Sequence, residues 1–329
     1  MTAATVRAWT RAATIAVVVP GIACGPAPAA PAPDQPAAPS AFTGPRLPLA
    51  EAPPAENQGI VAFQSDRAGR SKIFAVDLAT GAITALTSGR DHHDVEPAWA
   101  PDGRRLAFAT TRFDGAAFHL ATADSRGGDT TRLTTTAALY HGPAWTPDSR
   151  ALVFSANLDG TEAIYRAEGG ARPTRVSSGP WRAFQPAVSP DGRRLAYTVG
   201  DASGLHVVVH DLTSGPVRRV DRGDADAAWP AWSPDGHRLA ITRIAGDTSW
   251  IEVVPVDGAD AAVSFAVDGA VSTREASWSP DGRWLVAAIS RASGAEADWD
   301  LVLVRLTPAA AFRLTRGAGN DRHPVWAPR

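Results

Sequence analysis

One short phrase recurs six times down this chain, and the even spacing of its copies constrains the fold more than any other feature. The copies are Pro97-Ala98-Trp99-Ala100-Pro101-Asp102-Gly103, Pro143-Ala144-Trp145-Thr146-Pro147-Asp148-Ser149, Pro186-Ala187-Val188-Ser189-Pro190-Asp191-Gly192, Pro230-Ala231-Trp232-Ser233-Pro234-Asp235-Gly236, Ala276-Ser277-Trp278-Ser279-Pro280-Asp281-Gly282 and a truncated Pro324-Val325-Trp326-Ala327-Pro328. From one second proline to the next the period is 46, 43, 44, 46 and 48 residues. A unit of that length, built of strands and turns, cannot bury its apolar face alone. It must stack on its neighbours, and the stack that results is a β-propeller.

Each unit has the internal logic of a blade. In Pro-Asp-Gly the proline presets φ, the aspartate can bond the backbone beyond it and the glycine accepts a positive φ, so the chain reverses there. After the turn, apolar residues alternate with small ones: Leu106/Phe108, Leu152/Phe154, Leu195/Tyr197, Leu239/Ile241 and Leu285/Ala287. A period of two predicts strands, and small apolar residues between them predict burial on both faces. A third strand is expected at 73–76, 164–165, 205–209, 250–254 and 301–304, and an outer fourth at 85–87, 132–134, 175–177 and 313–315. The first unit, from 59–63, has no Pro-Ala-Trp strand ahead of it, whereas the chain ends on that strand alone. The expectation is therefore an all-β, six-bladed propeller of four-stranded antiparallel blades, closed by the C-terminal strand completing blade 1. Closure also removes the open sheet edges of a linear array.

The Trp-Ser-Pro-Asp-Gly phrase, the Leu-Ala-Phe-like strand, the Ser65-Asp66-Arg67-Ala68-Gly69 turn and the Leu-Thr ending together resemble the PD40, or WD40-like, repeats of the TolB propeller family, over nearly all of the chain after residue 57. The resemblance implies the fold strongly and the function weakly, since such motifs are packing and turn devices. The family's namesake carries an α/β domain ahead of its propeller; this chain has a linker there.

Three segments are expected: a signal peptide at 1–23, a Pro/Ala-rich tether at 24–56 and the propeller at 57–329. Arg7 and Arg11 precede a short apolar run from Ala12 to Ala23 that ends at Cys24, the only cysteine. The run is shorter than the about 20 residues needed to cross a bilayer, so it reads as a lipoprotein-type secretory signal with Cys24 as the acylated residue. Proline and alanine dominate from there to about Glu56, a composition that extends rather than packs. These features point to a periplasmic or cell-surface lipoprotein, held to a membrane by lipid.

Composition narrows function by elimination. With 32 basic and 34 acidic residues there is no basic excess to bind nucleic acid. No nucleophile elbow, His-Glu-x-x-His, P-loop or cysteine pair is present. What remains is the channel mouth, where the residue before each repeated phrase should line the axis: Glu96, Gly142, Gln185, Trp229, Glu275 and His323, with His93, His141, Arg274 and Arg322 alongside. The candidate ligand or partner site is Glu96, His141, Gln185, Trp229, Glu275 and His323. Such carboxylate, amide and imidazole groups suit a polar ligand, a protein partner or a divalent cation. Asp91-His92-His93-Asp94 reads as a solvated turn rather than a metal site, Asp221, Asp224 and Asp226 could attract Ca²⁺ but lack EF-hand-like spacing, the repeated tryptophans read as core, and Trp181 and Trp229 as recognition aromatics. The resulting expectation is a monomeric, envelope-tethered, non-enzymatic binding scaffold with an envelope protein or polar ligand as partner and no obligatory cofactor. The alternative is a metal-dependent propeller enzyme acting on an acidic saccharide, resembling oligogalacturonate lyase.

Overall fold

The turn chemistry of the repeat is realised atom by atom. In the fourth unit the Ser189 hydroxyl donates to Asp191 Oδ1 at 2.5 Å and accepts from the Arg194 N–H at 2.9 Å, while Asp191 Oδ1 accepts from the Arg193 N–H at 3.0 Å. Gly192 takes φ 70°, as Gly103, Gly236 and Gly282 do at the equivalent corners, and Ser149 adopts the same conformation at φ 59°. Each corner throws the chain back as an antiparallel hairpin, and the four-stranded blades follow.

The structure, a computed structural model, describes residues 42–54, 57–115, 117–136, 138–257, 261–293, 298–317 and 319–328. Signal-peptide residues 1–23, Cys24 and the first part of the tether lie outside the described residues. All regular structure among those described is strand. Blade 2 runs from an inner strand Asp94–Trp99 through Arg105–Thr110 and His119–Asp124 to an outer strand Thr131–Arg132. Blade 3 repeats this with Tyr140–Trp145, Ala151–Ala156, Ala163–Glu168 and Thr174–Arg175, and blade 4 with Arg182–Val188, Arg194–Asp201, Gly204–Asp211 and Val217–Arg219. Blade 5 has Asp226–Trp232, Arg238–Ala245, Thr248–Pro255 and Val263–Val267; blade 6 has Ser272–Trp278, Trp284–Ser290, Trp299–Leu306 and Ala309–Arg313. In blade 1 the C-terminal strand Arg322–Trp326 pairs antiparallel with Ile60–Ser65, followed by Lys72–Asp77 and Ile83–Ala85, so the first and last strands of the repeat array share one sheet as expected. Neighbouring inner strands touch one another in a closed circuit of six.

Side chains between blades hold this circuit together. Phe63, Phe108, Phe154, Tyr197 and Ile241 are fully buried, one in the second strand of each of blades 1 to 5, with Ala287 at the same place in blade 6. The repeated tryptophans are buried too, except the half-buried Trp99, and three of them reach across a blade junction. Trp145 Nε1 donates to Ala98 O at 3.1 Å, Trp232 to Ala187 O at 3.0 Å and Trp278 to Ala231 O at 3.0 Å. An arginine from the preceding blade's turn covers each indole, with Arg105, Arg194 and Arg238 at 4.6, 4.8 and 4.9 Å from the ring centres. Burial of the ring, its hydrogen bond and the cation–π contact act in the same place.

Two features differ from the sequence expectation. The outer strands end before the Leu-Thr pairs, whose Thr or Ser instead caps the third strand. Thr87, Thr134, Ser177 and Thr315 hydroxyls accept from the N–H groups of Ile73, Leu120, Ile164 and Leu301 at 2.8–3.0 Å, and Asp221 does the same for Val207 at 2.7 Å. The expected tether also contains structure. Arg46–Leu47 pairs parallel with Val263–Val267, and Leu49–Ala50 pairs parallel with Ala309–Arg313, adding a fifth strand to blades 5 and 6 and strapping them together. Leu47 is buried in the core these blades share.

Replacing Trp278 with Ala should cost about 3–5 kcal/mol in urea unfolding followed by circular dichroism, the range for a buried Trp. Truncation before Arg322 should do worse, replacing cooperative unfolding of a monomer by broad transitions and self-association, because blade 1 then lacks its inner strand.

Candidate functional site

A bulge breaks every inner strand at the same point. In blade 2 the pairing steps from Val95↔Ala109 to Ala98↔Ala107, so Glu96 and Pro97 together face Phe108. The same step occurs at 142–143, 185–186, 229–230, 275–276 and 323–324. The first bulge residue takes a left-handed backbone: Glu96 at φ 53°, Gly142 at 57°, Gln185 at 56°, Trp229 at 50°, Glu275 at 58° and His323 at 49°. Proline, present at five of the six second positions, has no N–H to lose where the ladder is interrupted. These are the six residues that sequence spacing places at the channel mouth.

Each bulge frees one backbone N–H, and in every case the preceding blade caps it. Gln64 Oε1 accepts from Glu96 N–H at 3.1 Å, Glu96 Oε2 from Gly142 N–H at 2.6 Å and Ser155 Oγ from Gln185 N–H at 3.0 Å. Gln185 Oε1 accepts from Trp229 N–H at 3.0 Å, Thr242 Oγ1 from Glu275 N–H at 3.1 Å and Glu275 Oε2 from His323 N–H at 2.8 Å. The six bonds form one ring. Acceptors alternate between a bulge side chain (Glu96, Gln185, Glu275) and a second-strand side chain (Gln64, Ser155, Thr242). Blades 2 and 6 have Ala109 and Ala288 at the second-strand position and use the bulge carboxylate instead; Thr198 in blade 4 donates to Gln185 Oε1 at 2.8 Å. The second-strand caps escaped sequence reasoning, although aligning 64, 109, 155, 198, 242 and 288 across the repeats exposes the complementarity.

Charge pairs surround this ring. Glu275 is buried, 4% exposed, and pairs with Arg322 through Oε1. Burial alone would raise its pKa, but Arg322 and His323 outweigh it and hold the carboxyl down at about 2. Glu162, on the loop before the third strand of blade 3, accepts from Arg182 at 2.6 and 3.1 Å and bonds His141. Burial opposes both charges, yet the mutual contact pushes His141 up and Glu162 down. Asp94 pairs with Arg112 at 2.9 Å and lies near His92 and Lys72; Arg67 grips Asp321 with one nitrogen at 2.6 and 2.7 Å. Trp229 packs against Phe184, Leu205, Ala228 and Ile244, whereas Trp181 is 50% exposed.

The arrangement does not suit a cation at the mouth. The Glu275 oxygens are taken by Arg322 and the His323 N–H, Glu96 Oε2 by the Gly142 N–H, and Gln185 Oε1 by two donors. His92 and His93 turn to different partners, Asp94 and Arg70. Asp221 and Asp226 cap the Val207 and Leu205 N–H groups. Among the described residues no group of three or more His, Cys, Asp or Glu side chains converges.

Glu96→Ala should cost about 1–3 kcal/mol by leaving the Gly142 N–H unpaired. Adding Ala109→Ser, which supplies the hydroxyl blade 3 uses, should recover part of that loss in the same urea titration. Glu275, depressed from 4.5 to about 2, contributes stability that is fully present above pH 4.5 and disappears as pH falls through 2. Glu275→Gln should therefore flatten the acid limb of the stability profile across that window, a difference on the order of 3 kcal/mol.

Comparison with known proteins agrees with this architecture. A family model described as the TolB beta propeller domain, PD40, matches residues 53–273. Tol-Pal system protein TolB of Francisella tularensis subsp. mediasiatica is 24% identical over 228 residues, 67% of this chain and 52% of that protein. The chain thus spans about half the length of the curated relatives it matches. TolB from Acinetobacter baumannii superposes with a TM-score of 0.69 at 20% identity, covering 82% of this chain and 67% of that one. A TolB-type structure from Agrobacterium tumefaciens gives 0.64 at 17% identity, covering 83% of this chain and all of that one, 100%. The repeats, the ring closure and the family match together assign this chain to the TolB β-propeller family.

Proposed function

We propose that this protein is an envelope-located, non-enzymatic interaction scaffold that offers its channel mouth to a protein partner. The observation that supports the reading is the ring of caps: it fixes the bulge backbone in all six blades, and Trp181, His141, Arg182, Arg322 and His323 stand beside those bulges in sequence. A rigid surface with an exposed aromatic and arginines loses little entropy on binding and has the composition of an interface centre. The Tol-Pal system named for its relatives supplies the class of partner, an envelope protein. Arg7, Arg11, the apolar run and Cys24 support export and lipid attachment. A lipid on Cys24 would leave 22 residues before Arg46, a reach of about 70 Å at full extension.

The test is capture from detergent-solubilised envelopes by the full chain, with bound proteins identified by mass spectrometry. Glu96, Gln185 and Glu275 are poor positions for a binding test because they hold the ring, so the informative substitution is Trp181→Ala. It should unfold within about 0.5 kcal/mol of wild type while losing a Tol-Pal component that the wild type retains. Equal capture by both would remove the mouth from the reading. Bound manganese or calcium together with chelator-sensitive cleavage of an acidic polysaccharide would replace the scaffold with the lyase alternative.

A further inference from the structure

Leu47 of the strap fills the outer groove between blades 5 and 6. Arg46–Leu47 pairs with the outer strand of blade 5 and touches that of blade 6. The leucine is buried in a cluster with Ile251, Val253, Phe265, Trp278, Leu285 and Val304. By pairing register their counterparts in blades 2 and 3 are Leu120, Thr122, Leu133, Trp145, Leu152 and Ala167. There the groove is an open cleft of about 280 Å³, with all six residues in its lining. Removal of one buried leucine leaves a void of about 150 Å³, so the cleft is wide enough for a leucine side chain. Between blades 1 and 2 the turn of blade 2 closes the same space: a Cβ on Gly127 would lie 1.5 Å from the carbonyl oxygen of Leu86, the counterpart of Leu133. Gly169 and Gly170, in the corresponding turn of blade 3, have open space beside them.

The cleft also has the charge and the backbone for a chain to lie in it. Its lining holds three arginines and no carboxylate. Arg105 is engaged with the Trp145 ring and the Ser149 carbonyl, but Arg150 and Arg172 are exposed and form no ion pair among the described residues. The acids of the flanking turns are engaged elsewhere. Asp148 Oδ1 accepts from the Thr146 hydroxyl at 2.6 Å and the Arg150 N–H at 3.1 Å, and Glu168 pairs with Arg166 at 3.3 Å. Blade 6 has Ala310 at the place of Arg172, so this cation is not a feature of the strap's own groove. On the edge that the strap covers, the Ala266 and Asp268 N–H groups donate to the Pro45 and Leu47 carbonyls at 3.3 and 2.8 Å. Their counterparts in blade 2, the Thr134 and Thr136 N–H groups, meet no acceptor among the described residues. Pro173, at the place of Ala311, has no N–H, which restricts main-chain pairing to blade 2.

We propose that this groove docks an extended, acidic segment of a partner protein by strand addition to blade 2. The segment's carbonyls accept from the Thr134 and Thr136 N–H groups, one leucine-sized side chain enters the cleft against Leu133 and Leu152, and a carboxylate meets Arg150 and Arg172. Main-chain bonds alone would accept any sequence; the cleft and the two arginines select an apolar residue beside an acid. This surface lies on the outer wall, apart from the channel mouth, and does not depend on the partner proposed there.

The experiment is fluorescence anisotropy of the full chain with a labelled peptide spanning Pro45–Glu51, in which Arg46→Glu supplies a second acid. Wild type should bind it saturably with a Kd below about 1 mM, more weakly as salt is raised. Changing both peptide leucines, Leu47→Ala and Leu49→Ala, should weaken binding at least about tenfold, because the cleft is then unfilled. The protein variant Arg150→Glu with Arg172→Glu alters two exposed side chains; it should weaken binding to the same degree with circular dichroism and melting unchanged. Ala167→Trp should block the peptide by filling the cleft from its floor. Absence of saturable binding to wild type overturns the proposal. So does undiminished binding to the double arginine variant, which would put the peptide at the strap's own site. Laurate binding that the double variant abolishes, in a wild type that takes up no peptide, would assign the groove to a fatty acid and also overturn it. If Ala167→Trp does not fold, the arginine variant and the leucine-free peptide decide the outcome.

Discussion

The bond between a bulge N–H in one blade and a side-chain oxygen in the blade before it is the interaction on which this propeller's inner wall depends. A bulge turns the inner strand out of regular pairing and leaves a donor facing a neighbour rather than water. An unpaired buried donor costs about 1–3 kcal/mol, so six of them without partners would consume a large part of a typical domain's stability. Capping each from the preceding blade turns that liability into a connection. Gln64 reaches blade 2, Glu96 reaches blade 3, and the series closes when Glu275 reaches His323 on the terminal strand.

The same interaction explains why residues that look like ligands in the sequence are framework in the structure. Glu96, Gln185 and Glu275 stand at the bulges of the inner strands, where they accept from the next blade's backbone and, for Gln185 and Glu275, from Thr198 and Arg322 as well. Gly142, Trp229 and His323 carry no side chain that caps the next blade, and there the second strand supplies Ser155, Thr242 or Gln64. Groups beside the bulge, such as Arg182 and Trp181, take no part in the ring and vary from repeat to repeat.

How much of this was legible in the sequence follows from which features repeat. The hairpin corners, the alternating second strands and the completion of blade 1 by 322–326 are local patterns or the absence of one, and the structure has all of them. The outer strands were misplaced by two residues or so because Leu-Thr resembles a strand end, while its hydroxyl serves the neighbouring strand. The caps and the pair Glu162–Arg182 link residues from different units, and no single repeat displays them. Arg46–Leu47 and Leu49–Ala50 sit among prolines, in a composition that argues against pairing; their partners lie more than two hundred residues ahead.

That separation gives the strap a consequence in time. Leu47 and Leu49 are made early, yet Val267 and Ala311, which receive them, come more than two hundred residues later. The inner edge of blade 1 waits still longer, for Arg322–Trp326. Both pairings span most of the chain, and long-range pairings of this kind are the slow ones. Pro45 and Pro48, flanking the first short strand, limit what that segment can pair with in the interval. Two early segments therefore wait on different late ones: Arg46–Ala50 on blades 5 and 6, and Ile60–Ser65 on the terminal strand.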